Sequence, residues 1–195
     1  PESLSLIVTT CWIVGFVNAF NLIDGLDGLA AGISIVSAVC LAVVMLFNNI
    51  YCCTLIMLCL GASCLGFLKY NFYPAKIFMG DTGSMFLGYM FAVITIISST
   101  KNAFVSMFAV SILACGIPLI DAFLACWRRI ALRFLSERSE RRGIMTADRD
   151  HLHHRFLDYY QSQSKTTMVF YVIALILGIG SVSISIFHKF VPGVT

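Results

Sequence analysis

Six apolar runs succeed one another along the chain, at roughly 4–20, 29–47, 50–68, 85–98, 103–127 and 166–187. Crossing the hydrocarbon core takes about 20 mostly apolar residues in a helix, so each run predicts a transmembrane α-helix. The fourth run is short and needs tilt or help from Gly83–Ser84 at its start. Polar segments separate the runs: 21–28, a two-Asn turn at Asn48–Asn49, 69–84, Ser99–Asn102, a long stretch 128–165 and the tail 188–195. Alternation of spans puts the loops 21–28, 69–84 and 128–165 on one side of the membrane. The predicted fold is all-α, a polytopic integral membrane helical bundle of about six spans, with no internal repeat and residues 1–195 forming one transmembrane domain.

Composition narrows the picture in the same direction. Hydrophobic residues make up 59% of the chain and charged ones 12%, against roughly 45–50% and 25% in a soluble domain. A mean hydropathy of +0.90 also excludes a disordered chain. Charge then orients the bundle. Of 13 Lys and Arg, 11 fall on the side of the three long loops (Lys69, Lys76, Arg128, Arg129, Arg133, Arg138, Arg141, Arg142, Arg149, Arg155, Lys165), and only Lys101 and Lys189 fall opposite. Short cytoplasmic loops carry excess Lys and Arg, so those three loops are expected to face the cytoplasm. The net charge of +3 is therefore a topology signal, not a surface for nucleic acid. Eight cysteines lie in apolar runs without C-x-x-C spacing, and read as small buried hydrophobes, not as disulfides or a zinc site. The chain meets an apolar run within three residues of Pro1 and has no basic n-region, so no signal peptide is expected.

An acidic residue at or inside a span is costly and marks a functional site by default. Asp24, Asp27, Asp81 and Asp121 qualify, and three of them sit in compact motifs. The first motif runs from Asn18 through Asn21 and Asp24-Gly25-Leu26-Asp27-Gly28. At about 100° per residue, Asn18, Asn21 and Asp24 fall within about 120° of one another, a polar stripe that must face protein or water. Two Asp-Gly steps let the backbone turn at the membrane surface and come close to a ligand. Capping of helix ends would explain one or two of these polar groups, but not four in register. The second motif, Phe78-Met79-Gly80-Asp81-Thr82-Gly83-Ser84, enters a span. Such a helix N-terminus can present N–H groups to phosphate while Asp81 offers a hard oxygen to Mg²⁺; the Lys of a Walker A loop is absent. The third, Asp148-Arg149-Asp150-His151-Leu152-His153-His154-Arg155, can bind phosphate oxygens, and lacks the i, i+4 histidine geometry of zincins. Its bland alternative is a solvated basic loop at an anionic lipid surface. Carboxylates able to hold Mg²⁺, together with basic residues at a membrane surface, are the parts of a phosphoryl-transfer site with a lipid substrate.

These three motifs, with Pro118-Leu119-Ile120-Asp121, resemble the polyprenyl-phosphate N-acetylhexosamine-1-phosphate transferases, a superfamily that also contains phospho-N-acetylmuramoyl-pentapeptide translocase. The resemblance runs over essentially the whole chain. The Asp-Arg-x-His-x-His-His-Arg pattern is similar to the branch that transfers N-acetylglucosamine 1-phosphate, or a related aminosugar phosphate, to undecaprenyl phosphate. It implies a UDP-N-acetylhexosamine donor, release of UMP, a requirement for Mg²⁺ with Mn²⁺ able to substitute, and a first membrane step of cell-envelope polysaccharide synthesis. Location in the bacterial inner membrane, an active site on the cytoplasmic face and room for a homodimer are implied as well. By position, Asp24, Asp27 and Asp81 are the expected catalytic carboxylates, with Asp81 the metal ligand, Asn21 and Asp24 the polar pair beside the phosphates, and Asn18 a further substrate-binding residue. Gly25, Leu26, Asp27 and Phe78 resemble the groups around uridine, while His151, His153 and His154, supported by Arg149 and Arg155, resemble the phosphate-binding cluster.

The chain departs from the family pattern in two places. An Asp-Asp pair expected at the end of an earlier span is missing, and members usually have ten or eleven spans, so the chain is expected to be the C-terminal part of a longer enzyme. The stretch Leu135–Ala147 also differs from the usual short Gly/Ser/Pro approach to the histidines. Two rival readings stand beside this one: the muramoyl-pentapeptide translocase, and a membrane transporter with intramembrane acids. Transport sites lie near the bilayer midplane, whereas these acids sit at span ends.

Overall fold

The structure, a computed structural model, describes residues 2–99, 111–112, 115–135 and 152–190, without the side chains of residues 2, 125–126, 128–135, 152–155 and 188–190. Its helices are α1 (Glu2–Ile23), α2 (Leu29–Phe47), α3 (Tyr51–Asn71), α4 (Gly80–Ser98), α5 (Gly116–Leu135), α6 (Leu152–Tyr160) and α7 (Gln163–Phe190). Five of them, α1 to α4 and α7, are long and apolar enough to cross a membrane. The protein is a multi-pass membrane helical bundle.

α2 is the central helix. It packs against α3 on one side and α7 on the other, while α1 packs against α4 and α5. One core joins Phe16 and Phe20 of α1 to Leu41, Val44 and Met45 of α2 and Phe91 of α4; a second gathers Ile23, Leu29, Ile33, Ile117 and Phe170. Within hydrocarbon, hydroxyls must find partners inside the protein. Ser34, Thr54 and Thr95 do so by donating to the carbonyls of Ala30, Ile50 and Phe91, four residues back along the chain.

α1 and α4 run antiparallel in unusually close contact. The Trp12 indole N–H donates to Thr95 Oγ1 at 3.2 Å, and the Phe20 and Phe91 rings stack with centroids 4.9 Å apart. One turn from Phe91 towards Ser84, Gly88 faces the α1 backbone at Phe16 and Val17. A Cβ on Gly88 would meet the Phe16 carbonyl oxygen at 2.5 Å and Val17 Cα at 2.7 Å.

Several boundaries differ from the sequence expectation, each for a local reason. α4 begins at Gly80, so the Gly-Asp-Thr-Gly-Ser motif forms the first turn of the fourth span and lengthens it to 19 residues. The predicted fifth span, 103–127, lies partly outside the described residues; its described part has a turn at Cys115 and a helix from Gly116. Pro118 falls in the first turn of α5, where its missing N–H is tolerated. With no Pro or Gly afterwards, α5 continues to Leu135, through Arg128, Arg129 and Arg133, which were expected to lie in the 128–165 loop. The same stretch also holds α6 and the start of α7. Of the seven cysteines whose side chains are described, Cys11, Cys52 and Cys59 are exposed on the bundle's apolar exterior and not buried; all seven are free thiols. The Asn48–Asn49 turn is as expected, with Asn49 in the left-handed region at φ 62.

Gly88→Ala should separate α1 from α4 because the contact is backbone against backbone and neither side can rotate away. We expect a loss of about 1–3 kcal/mol, as for other overpacked cores, read as a lower unfolding temperature of the detergent-solubilised protein. Gly66→Ala, on α3 where a Cβ meets nothing within 4 Å, should leave that temperature unchanged.

Candidate active site

The polar ends of α1 and α4 meet at one end of the bundle. The Asn21 amide donates from Nδ2 to Asp81 Oδ1 at 3.1 Å and to Ser84 Oγ at 3.2 Å. Ser84, buried in the first turns of α4, donates its own hydroxyl to the Gly80 or Asp81 carbonyl. One α1 side chain thus fixes both the carboxylate and the hydroxyl of the Gly-Asp-Thr-Gly-Ser turn. Asp24 follows at the end of α1, its N–H directed to the Asn21 carbonyl at 3.4 Å. Burial, and then the neighbouring Asp81 carboxylate, push the Asp24 carboxyl up from 3.8 to about 6. A half-buried carboxylate beside a second one makes a place for a cation or a proton.

The loop from Asp24 to Gly28 is held from two helices, α3 and α7, and from the 72–79 segment. Gly28 adopts φ 75 at the start of α2, a conformation for which glycine is suited. Its N–H donates to Asn71 Oδ1 at 3.1 Å, and Asn71 Nδ2 donates to the Ile77 carbonyl at 2.9 Å. The Ala75 N–H donates to Asp27 Oδ2 at 3.0 Å. Asp27 therefore ties this loop to the 72–79 segment, which contains a cis Tyr73–Pro74 bond. From α7, Tyr171 donates to the Gly28 carbonyl at 2.6 Å and Thr167 to the Asp27 carbonyl at 3.5 Å.

The sequence-derived candidates separate into groups. Asn21, Asp24 and Asp81 come together. Asn18 is exposed and its Nδ2 donates to the Val14 carbonyl, one turn back. Gly25 is exposed at the turn; the Leu26 side chain is buried at 7% exposure in the core with Ile23 and Ile33. Phe78 is 74% exposed, three residues before Asp81. Arg149 and His151 lie outside the described residues; His153, His154 and Arg155 fall in α6, but their side chains lie outside the description. α6 packs on α7, with Phe156 and Phe170 ring centroids 5.2 Å apart. Among the described residues no group of three His, Cys, Asp or Glu is clustered to bind a metal. An apolar recess lined by Leu60, Cys64, Phe67, Phe86 and Leu87 opens between α3 and α4 and reaches Gly83. Ser84, Asn71, Thr167 and Tyr171 were not singled out from sequence. Asn71 ends a span as Asn18 and Asn21 do, whereas nothing in the local pattern sets Tyr171 apart from other span tyrosines.

Against known proteins, residues 1–99 match the model of the family described as glycosyl transferase family 4. The chain belongs to glycosyl transferase family 4. Relatives within reach of this family-4 chain include a probable undecaprenyl-phosphate N-acetylglucosaminyl 1-phosphate transferase of Bacillus subtilis, 39% identical over 90% of this chain and 47% of that protein. A decaprenyl-phosphate N-acetylglucosaminephosphotransferase of Mycobacterium leprae is 34% identical over 96% of this chain and 50% of its own length. A phospho-N-acetylmuramoyl-pentapeptide-transferase of Staphylococcus saprophyticus is 34% identical over 92% and 52%. The family-4 chain spans about half the length of the curated relatives it matches.

The raised Asp24 carboxyl has a measurable consequence. Its folded value of about 6 lies above the ordinary 3.8, so stability is full below the lower value and falls as pH rises through the higher one. With divalent metal chelated, Asp24→Asn should unfold at a higher temperature than wild type near about pH 7.5, and the difference should close near about pH 4. A difference of the same size at both pH values would place its origin outside the Asp24 charge.

Proposed function

We propose that the protein containing this chain transfers N-acetylglucosamine 1-phosphate, or a related N-acetylhexosamine 1-phosphate, from a UDP-sugar to undecaprenyl phosphate on the cytoplasmic face of a bacterial inner membrane. The observation that carries the reading is the joining of Asn21 to Asp81 and Ser84, which sets the carboxylates of two motifs side by side at a membrane-span end. The names of the relatives supply the substrate classes: two are named for N-acetylglucosamine-phosphate transfer to a polyprenyl phosphate. The apolar recess beside Gly83 suits an acceptor with a hydrocarbon tail.

In the reaction, an oxygen of the lipid phosphate bonds to the sugar-bearing phosphorus. The bond from that phosphorus to the oxygen of the uridine-bearing phosphate breaks, and UMP leaves with the electron pair. The donor set, two carboxylates at the membrane surface, fits Mg²⁺, which commonly takes one or two protein carboxylates and completes its shell with substrate phosphates and water. Asp81 would hold it, with Asp24 beside it, and the ion, Mg²⁺ or Mn²⁺ in its place, would offset phosphate charge in the transition state. Asn21 keeps the Asp81 carboxylate oriented without adding charge. The Gly25–Asp27 turn and Phe78 flank this point and serve the nucleoside, Leu26 through its main chain because its side chain is in the core. Asn18 would extend the polar stripe towards the phosphates. Arg149, His151, His153, His154 and Arg155 would hold phosphate oxygens. The whole protein is an enzyme of the membrane, with a homodimer compatible with the reading.

The full-length protein should release UMP from UDP-N-acetylglucosamine only when undecaprenyl phosphate and Mg²⁺ are both present. Asp81→Asn should lower turnover by roughly 10²-fold or more, about 2.7 kcal/mol of transition-state stabilisation, with folding nearly intact. UMP release that survives chelation would sink the metal-dependent mechanism, and exchange supported by UDP-N-acetylmuramoyl-pentapeptide instead would move the protein to the translocase branch. Replacing His151, His153 or His154 by Ala should cost far more activity than Arg138, Arg141 or Arg142 to Gln, whose mild effects should fade with salt as exposed charges are screened over about 8 Å. Equal, salt-sensitive losses in both sets would strike the histidines from the site.

A further inference from the structure

α7 reaches the carboxylate loop through two side chains on one of its faces. Thr167 and Tyr171, one helical turn apart, donate to consecutive carbonyls, Asp27 at 3.5 Å and Gly28 at 2.6 Å. The Tyr171 ring has a built seat: it lies on Gly32 of α2, where any Cβ would overlap the ring, and its hydroxyl lies 3.3 Å from where a Cβ of Gly28 would be. The peptide units around Gly28 are thereby gripped from opposite sides, the N–H by Asn71 of α3 and the carbonyl by Tyr171 of α7.

The Tyr171 bond is not needed to satisfy the carbonyl. Gly28 O already accepts the Gly32 N–H at 2.9 Å as the first helical bond of α2. Removing the hydroxyl leaves no orphaned acceptor, and the large stability costs of hydrogen-bond loss come from orphaned groups. What the bond adds is a fixed distance between α7 and the loop. α7 is in turn packed to α6 through Phe170 and Phe156, and α6 carries His153 and His154 in its first turn.

We infer that Tyr171 is a positioning residue for the transfer reaction: through the Gly28 carbonyl it sets the Asp24-to-Gly28 loop in register with the α6–α7 arm. The inference rests on the phosphotransferase reading above. A misplacement of about 1 Å at a reacting centre can cost on the order of 10²-fold in rate, so a brace that fixes one half of the site against the other is felt in turnover and not in binding of the donor alone.

Tyr171→Phe in the full-length protein, reconstituted in lipid nanodiscs, keeps the ring on Gly32 and removes only the hydroxyl. We expect kcat for UMP release to fall by about 10-fold or more, with KM for UDP-N-acetylglucosamine rising by a smaller factor because the same loop serves the nucleoside, and the unfolding temperature close to wild type. Hydrogen–deuterium exchange of the peptide covering residues 24–32 should accelerate, while a peptide from the α1–α4 contact should not. Gly32→Ala, which displaces the ring, should give the same exchange signature and serves if the phenylalanine variant expresses poorly. Unchanged exchange at 24–32 overturns the inference, as does accelerated exchange with unchanged kcat. A loss of activity in step with a lowered unfolding temperature would make Tyr171 structural only and overturn it too. Wild-type protein that releases no UMP would overturn the phosphotransferase reading instead, and the exchange comparison would still decide whether the brace exists.

Discussion

The closeness of the α1 and α4 backbones governs the polar end of the bundle. A single side chain the length of asparagine can reach across from one helix to the carboxylate and hydroxyl of the other only if the two axes nearly touch, and Gly88 against Phe16 and Val17 is what permits it. The Trp12–Thr95 hydrogen bond and the Phe20–Phe91 stack then fix the rotation of each helix, so that Asn21 and Asp81 face one another and not lipid. In water such an amide–carboxylate bond would compete with solvent for little gain. The Asp81 bond is exposed, but the same amide also donates to Ser84, which is buried behind it, and this second bond holds the geometry.

A consequence is that the fold opposes its own site. Burying Asp24, and secondarily setting it near Asp81, raises its proton affinity, so the fold works against the ionised Asp24 carboxylate unless a cation joins it. The surrounding restraints offset this: Asn71, Ala75, Thr167 and Tyr171 all bond the 24–28 loop or the Asp27 side chain, and each comes from a different element or connecting segment than the carboxylates. Strain of this kind at a functional site, compensated by neighbours, is a common arrangement.

Span positions were readable from the sequence because hydrocarbon thickness and apolar run length are tied so directly, and the asparagine turn at 48–49 was readable because few other residues adopt φ near 60. The ends of spans were harder. The first turn of α4 is polar by composition yet helical, since the residues that make a binding turn are also good first-turn residues, and α5 runs past its apolar stretch because nothing in 119–135 breaks a helix. At the site, Asn21, Asp24 and Asp81 announced themselves as costly polar residues in apolar surroundings. Tyr171 and Asn71 did not, because their roles depend on contacts 143 and 43 residues away in sequence. Asp27 shows the reverse case: its type and place suggest chemistry, and the fold also uses its carboxylate to pin Ala75.

α2 carries one further lesson. It is the most apolar of the five described spans and also the most enclosed, surrounded by α3 and α7 and with most of its length hidden from the bundle's exterior. Once assembled, it has little lipid to face and could in principle tolerate more polar surface than Ser34 and Ser37. Each span, however, must leave the translocation machinery for the bilayer on its own hydrophobicity, before its neighbours can shelter it. The sequence of the innermost helix is therefore written for the moment of insertion, and its packing partners are chosen only afterwards.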